Sequence, residues 1–141
     1  MSLNKIQDEI IEEFSMFDDW LDRYDYLIEL GNSLPEMDPA YKTEDYLISG
    51  CQSNVWLHAD FKDGKLYFQA DSDAVIVKGI AALLVKTLSG QEPEEIVNNE
   101  LYFIDEIGLK QNLSPTRSNG LLAMVKKMKT YALAYQAKQN M

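Results

Sequence analysis

The sequence predicts an α+β domain in which several helices gather against one small three-stranded antiparallel sheet. Three observations predict it. Apolar residues recur at helical spacing at both ends of the chain, short extended runs flank an Asp-Gly pair in the middle, and an almost wholly apolar segment follows them. The 141 residues fit a single domain over 1–141, with no repeat, low-complexity tract or linker to divide them. A compact domain of that size buries roughly 68–70% of its unfolded surface, enough for a core without staples.

Ile6, Ile10 and Phe14 mark a first amphipathic helix to about Met16, with Glu9, Glu12 and Glu13 largely on the opposite side. A second helix restarts after Asp18, a suitable cap. Trp20, Tyr24, Leu27, Ile28 and Leu30 give it an apolar side, and Gly31 stands where helices commonly end. Residues 35–45 hold two prolines and show no period, which reads as a loop. Leu47-Ile48, "VWLHADF" and "KLYFQA" then form three strands. Asp63-Gly64 supplies the positive φ angles of a tight hairpin between the last two.

Ser72 or Asp73 is placed to cap the next helix, "AVIVKGIAALLVKTL", which is apolar almost all round and therefore buried on more than one side. Gly90 ends it. "EPEEIVNN" starts a short helix with Pro93 near its first turn, and "LYFIDEIGL" gives another, closed by Gly108. The last helix has Ser114 as cap, Pro115 at its first position and a stripe of Leu121, Met124, Val125, Met128, Ala132 and Tyr135. Lys126, Lys127 and Lys129 fall on or near its outer side.

The formal net charge of −10, from 23 acidic against 13 basic residues, repels phosphate backbones and argues against nucleic acid as a partner. A basic or mixed-charge protein is easier to accommodate, although solubility alone also explains an acidic surface. The longest apolar window is far short of the ~20 residues that span a bilayer, and the N-terminus lacks the basic start and apolar run of a signal peptide. One cysteine forms no internal disulfide. These features point to a soluble protein of the reducing cytoplasm.

That cysteine, Cys51, lies in "ISGCQSNVW" between Gly50 and Gln52, in the connection between the first two strands. Unpaired cysteine is commonly a small buried hydrophobe. The surroundings favour another reading, because Gly50, Gln52 and Ser53 are small or polar and apolar alternation begins only at Val55. A hydrolase needs a histidine base, and His58, the one histidine, reads better as a half-buried or exposed strand residue. A dithiol oxidoreductase needs a second cysteine, and a metal or cluster site needs several ligands, so no metal is expected. One exposed thiol remains suited to accepting a group and passing it on, as a persulfide does.

Two further features stand out. Arg117 sits in the first turn of the last helix, where the macrodipole disfavours a cation, so it pairs with an acid, faces an anion or is simply solvated. Asp71 and Asp73 read as turn and capping residues.

"GCQSNVW" at 50–56, "DSDAVIVKGI" at 71–80, "LSPTRSNGLLAM" at 113–124 and "YLIELGNSLPEM" at 26–37 resemble blocks of the SufE family of sulfur-acceptor proteins. The resemblance implies an α+β fold similar to IscU-type scaffolds and a role in iron–sulfur cluster assembly. It implies that a SufS-type cysteine desulfurase passes persulfide sulfur to Cys51 and is stimulated by losing it. The pyridoxal phosphate belongs to that partner, so no cofactor is expected in this chain, and a SufB-type scaffold is the implied downstream acceptor. Gly50, Gln52 and Ser53 belong to the cysteine motif, and Asp73 and Arg117 match positions associated with the cysteine loop and partner contact. His58 lies outside the motif. The same blocks serve the paralogue CsdE, and the apolar stripes suit a homodimer as well as a core. An interaction module that stimulates a desulfurase without carrying sulfur is the competing reading.

Overall fold

Two long helices open the chain in the computed structural model, which describes residues 2–48 and 53–139. The first, α1 (Leu3–Ser15), is capped by Ser2, whose Oγ accepts from the Lys5 N–H at 3.3 Å. The second, α2 (Trp20–Ser33), is capped by Asp19 and not by Asp18, since Asp19 Oδ1 accepts from the Asp22 N–H at 2.9 Å. It also runs past Gly31. The reason is a helix crossing: α2 packs on α3 (Val75–Leu88) at Gly31 and Gly79, where a Cβ on Gly79 would lie 2.2 Å from the Leu27 carbonyl oxygen. Gly31 therefore marks a close approach of two backbones, not a helix end.

Residues 39–46 contain two single 3₁₀ turns, Pro39–Tyr41 and Glu44–Tyr46, where the sequence suggested irregular loop. Strands β1 (Val55–Lys62) and β2 (Lys65–Ser72) pair antiparallel from Val55↔Ser72 to Lys62↔Lys65. Asp63 and Gly64, at φ 53° and 81°, make the expected turn. The expected third strand is absent among the described residues. The 3₁₀ turn ending at Tyr46 leaves Leu47-Ile48 only one bridge, Leu47↔Trp56, with the Ile48 N–H on the Val55 carbonyl at 2.9 Å. The described sheet is two-stranded.

Val55, Leu57 and Ala59 of β1 and Leu66, Phe68 and Ala70 of β2 turn inward, and α3 packs beneath them. Most of α3 is buried, as its apolar composition requires: Ile80, Ala81, Leu83, Leu84 and Leu88 are all at most 1% exposed, and only Val75 and Lys86 are exposed. Helices α4 (Pro93–Asn98) and α5 (Phe103–Glu106) follow, and Gly108, at φ 74°, leads into an unforeseen single-turn α6 (Leu109–Asn112). The long α7 (Pro115–Gln139) packs against α3, α4 and β1 through Leu121, Met124, Met128 and Ala132. Buried Gln7 ties α1 to this end of the fold by donating to the Glu100 carbonyl at 3.0 Å and accepting from the Phe103 N–H at 3.2 Å. Both ends of its amide are thus paired, which is the condition for burying that group cheaply.

Candidate functional site

Residues 53–55 and 71–73 bring the ends of the β1–β2 ladder to one place. One step beyond the Val55↔Ser72 pair, Asn54 and Asp73 face each other through three hydrogen bonds. Asp73 Oδ1 accepts from the Asn54 backbone N–H at 3.1 Å, its Oδ2 accepts from Asn54 Nδ2 at 2.9 Å, and the Asp73 N–H donates to the Asn54 carbonyl at 3.3 Å. A carboxylate is acceptor-only and takes two donors at once, so aspartate suits this clamp where a hydroxyl would fill half of it. Asp73 is thereby withdrawn from the start of α3. Neither Ser72 nor Asp73 caps that helix as the sequence suggested: Ala74 holds the cap position without a side-chain cap, and Ser72 Oγ accepts at 3.2 Å from the Ala74 N–H, a turn bond just ahead of the helix.

On the other side, the Ile48–Val55 bond and the Leu47↔Trp56 bridge hold the chain as it enters the segment. The described residues on either side of positions 49–52 are thus held, Ile48 by a sheet bond and Asn54 by Asp73. The candidate residues Gly50, Cys51 and Gln52 themselves lie outside the described residues. Ser53, half-buried, precedes Asn54 directly.

Beside the clamp, Asp71 accepts from the Ser72 N–H at 2.8 Å and pairs with Lys42 at 3.0 Å and Lys78 at 3.5 Å. Burial, with its side chain 14% exposed, pushes this carboxyl up, but the Lys42 and Ser72 hydrogen bonds and both lysine charges outweigh it and hold it below its ordinary value. A depressed folded-state pKa adds stability above the unfolded value and loses it as pH falls through the folded one. Asp71→Asn is therefore expected to melt below the parent at neutral pH and to converge with it under acid, below about pH 4. A constant gap in melting temperature from neutral pH down to about pH 3 would contradict this.

Lys42 also lies 5.1 Å over the Trp56 ring, and the 3₁₀ turns fold over the outer face of β1. There His58 stacks on Tyr41 at 3.6 Å, meets Tyr46 edge-on at 5.2 Å, and joins Asp60 Oδ1 through Nε2 at 2.9 Å. His58 is the half-buried strand residue that the alternation in β1 suggested. Its ring is occupied by structural contacts.

Arg117 lies on a different element, α7. It is exposed in the first turn of that helix, and its backbone N–H donates to the capping Ser114 Oγ at 3.3 Å. Among the described residues no hydrogen bond or ion pair joins it to Ser53 or Asp73. Of the candidates, Asp73 is bound to Asn54, the neighbour of Ser53 in sequence, and Arg117 takes no part in those hydrogen bonds. Sequence reasoning missed Asn54 as the partner of Asp73 and Lys42 as that of Asp71. An amide at the strand start, paired by hairpin register with an acid at the helix start, was the available signal.

Comparison with known proteins decides the family. The model of the SufE, Fe-S metabolism associated domain matches residues 8–132. The chain belongs to the SufE family. An uncharacterized SufE-like protein of Rhizobium meliloti is 42% identical over 130 residues, covering 89% of this chain and 93% of that protein. A SufE-like protein of Synechocystis is 40% identical over 132 residues, covering 94% and 83%. Among longer relatives, SufE-like protein 1, chloroplastic/mitochondrial, of Arabidopsis thaliana is 40% identical over 131 residues, which are 92% of this chain but 35% of that protein. The solution structure of a hypothetical protein from Thermus thermophilus shares the fold with a TM-score of 0.77 at 25% identity, covering 94% of this SufE-family chain and 96% of that one. Among the described residues, no helix is long and apolar enough to cross a membrane.

Proposed function

We propose that this chain accepts sulfane sulfur on Cys51 from a pyridoxal-phosphate cysteine desulfurase of the SufS type and hands it on for iron–sulfur cluster assembly. Family membership supports the pathway. The observation that carries the finer reading is the double anchorage on either side of the chain's one cysteine, by the Ile48–Val55 bond and the Asn54–Asp73 clamp. A carrier must offer its thiol at a reproducible place to two successive partners, and held residues on both sides of the cysteine suit that need.

The transfer balances without an external oxidant. Cys51, having lost its proton, attacks the outer sulfur of the desulfurase persulfide as a thiolate. A bond forms between Cys51 Sγ and that sulfur, the sulfur–sulfur bond of the donor breaks, and the desulfurase cysteine leaves as a thiolate and is reprotonated. Delivery repeats the step with Cys51 as leaving group. Asp73 fixes the exit of the segment, and Ser53 and Arg117 take the surrounding and partner-contact parts.

Desulfurase turnover tests the carrier reading against the regulatory one. Wild type is expected to raise turnover with cysteine as substrate, while Cys51→Ser keeps the fold and loses the stimulation. Undiminished stimulation by Cys51→Ser would replace the carrier with an interaction module that acts without bearing sulfur.

A further inference from the structure

Charge is distributed unevenly along this chain. All 23 acidic residues precede residue 107, together with seven of the 13 basic ones, whereas residues 107–141 hold Lys110, Arg117, Lys126, Lys127, Lys129 and Lys138 and no acid. Most of that stretch is α7, so a basic helix lies against an acidic body. Beside α7 a groove of about 290 Å³ is lined by Leu47, Ile48, Ala123, Lys126, Lys127 and Thr130. Its lining sets three apolar residues beside two lysines and a threonine. Ile48 is the residue whose N–H bonds the Val55 carbonyl at the entry to segment 49–52.

The two lysines at this groove differ from the lysines whose charge the fold already engages. Lys42, Lys78, Lys86 and Lys110 each pair with a carboxylate, and Lys129 donates to the Asn99 carbonyl at 3.1 Å. Lys126 and Lys127 are exposed, and among the described residues no carboxylate lies within ion-pair distance of either. Lys127 rests 5.3 Å over the Tyr131 ring, which orients its ammonium without neutralising it.

We propose that this groove seats an acidic segment of the desulfurase that gives sulfur to this chain, its carboxylates received by Lys126 and Lys127. The inference rests on the carrier reading and adds the partner surface and its chemistry. Charge complementarity selects the occupant. A lysine pair on a chain of net charge −10 attracts an acidic segment at one place and repels it elsewhere, so attraction and orientation coincide. The volume has room for a side chain or two and falls just short of the roughly 300–1,000 Å³ of small-molecule pockets. The long, uniform charge of nucleic acid would meet the acids of the body.

Full-length wild type, Lys126→Glu/Lys127→Glu and Lys126→Arg/Lys127→Arg would each be incubated with a SufS-type desulfurase, pyridoxal phosphate and cysteine. Persulfide loading is followed by mass spectrometry against carrier concentration, at low and high sodium chloride. Both lysines are exposed, so the variants are expected to melt with the parent. Charge reversal is expected to raise the half-saturating concentration about tenfold at low salt with the maximal rate kept, and the gap should close as salt screens the lysines. The arginine pair should load as wild type does. Half-saturation of the reversal variant within about twofold of wild type at low salt would overturn the inference while leaving the carrier reading intact. Failure of wild type itself to load would overturn the carrier reading and this inference with it.

Discussion

Gly79→Ala is expected to destabilise the fold by at least about 3 kcal/mol, lowering the melting temperature by roughly 10 °C. In an exposed helix the same change would stabilise by about 1 kcal/mol, because alanine is the better helix former. Here the added Cβ would sit 2.2 Å from the Leu27 carbonyl oxygen and 2.7 Å from its carbon, both backbone atoms that no rotamer change can move. Relief requires α2 and α3 to separate, and α3 is the helix against which both the sheet and α2 are packed. Gly31→Ala meets the Gly79 nitrogen at 2.9 Å and should cost less. Thermal melts of the two variants check the order; a Gly79→Ala protein melting within about 2 °C of wild type would refute the crossing as the cause.

Asp73→Ala is expected to act on function far more than on stability. The residue is exposed, and the hydrogen bonds that its carboxylate accepts from Asn54, at 3.1 and 2.9 Å, are of the kind worth about 1 kcal/mol or less each. What they hold is the exit of the segment that bears Cys51. Loss of placement by about 1 Å can slow a transfer by up to about a hundredfold, so persulfide loading should slow at least about tenfold while the melting temperature stays within a few degrees. Asp73→Asn retains one acceptor and presents an amide to the Asn54 amide, so it should fall between the two. Loading by Asp73→Ala at the wild-type rate would show that the clamp is only structural.

These two residues also show what the sequence disclosed and what it concealed. Periodicity and turn chemistry located α1, β1, β2, α3, α4 and α7, because each buries a face with a fixed repeat or begins at a residue with one backbone preference. Gly31 misled because glycine is read as a helix end, and only tertiary packing reveals that a partner backbone lies against it. The third strand failed for a similar reason: β-propensity at Leu47-Ile48 says nothing of a 3₁₀ turn immediately before it. Within the site, Asp73 was singled out, but the capping role expected of Ser72 or Asp73 is filled by neither, since Ala74 stands at the cap without a side-chain bond. Pairing with Asn54 arises from hairpin register between residues far apart in sequence, and the Lys42 and Lys78 contacts to Asp71 arise from the tertiary fold. The cysteine motif was legible because its residues are adjacent and the chain has one thiol.

The measurement that bears most directly on this account is intact-protein mass spectrometry of the full chain after incubation with a SufS-type desulfurase, pyridoxal phosphate and cysteine, followed by peptide mapping. The account predicts the added mass of one sulfur on the peptide containing Cys51, removed by a thiol reductant. An unmodified chain beside a desulfurase that is itself active and persulfide-loaded would contradict it.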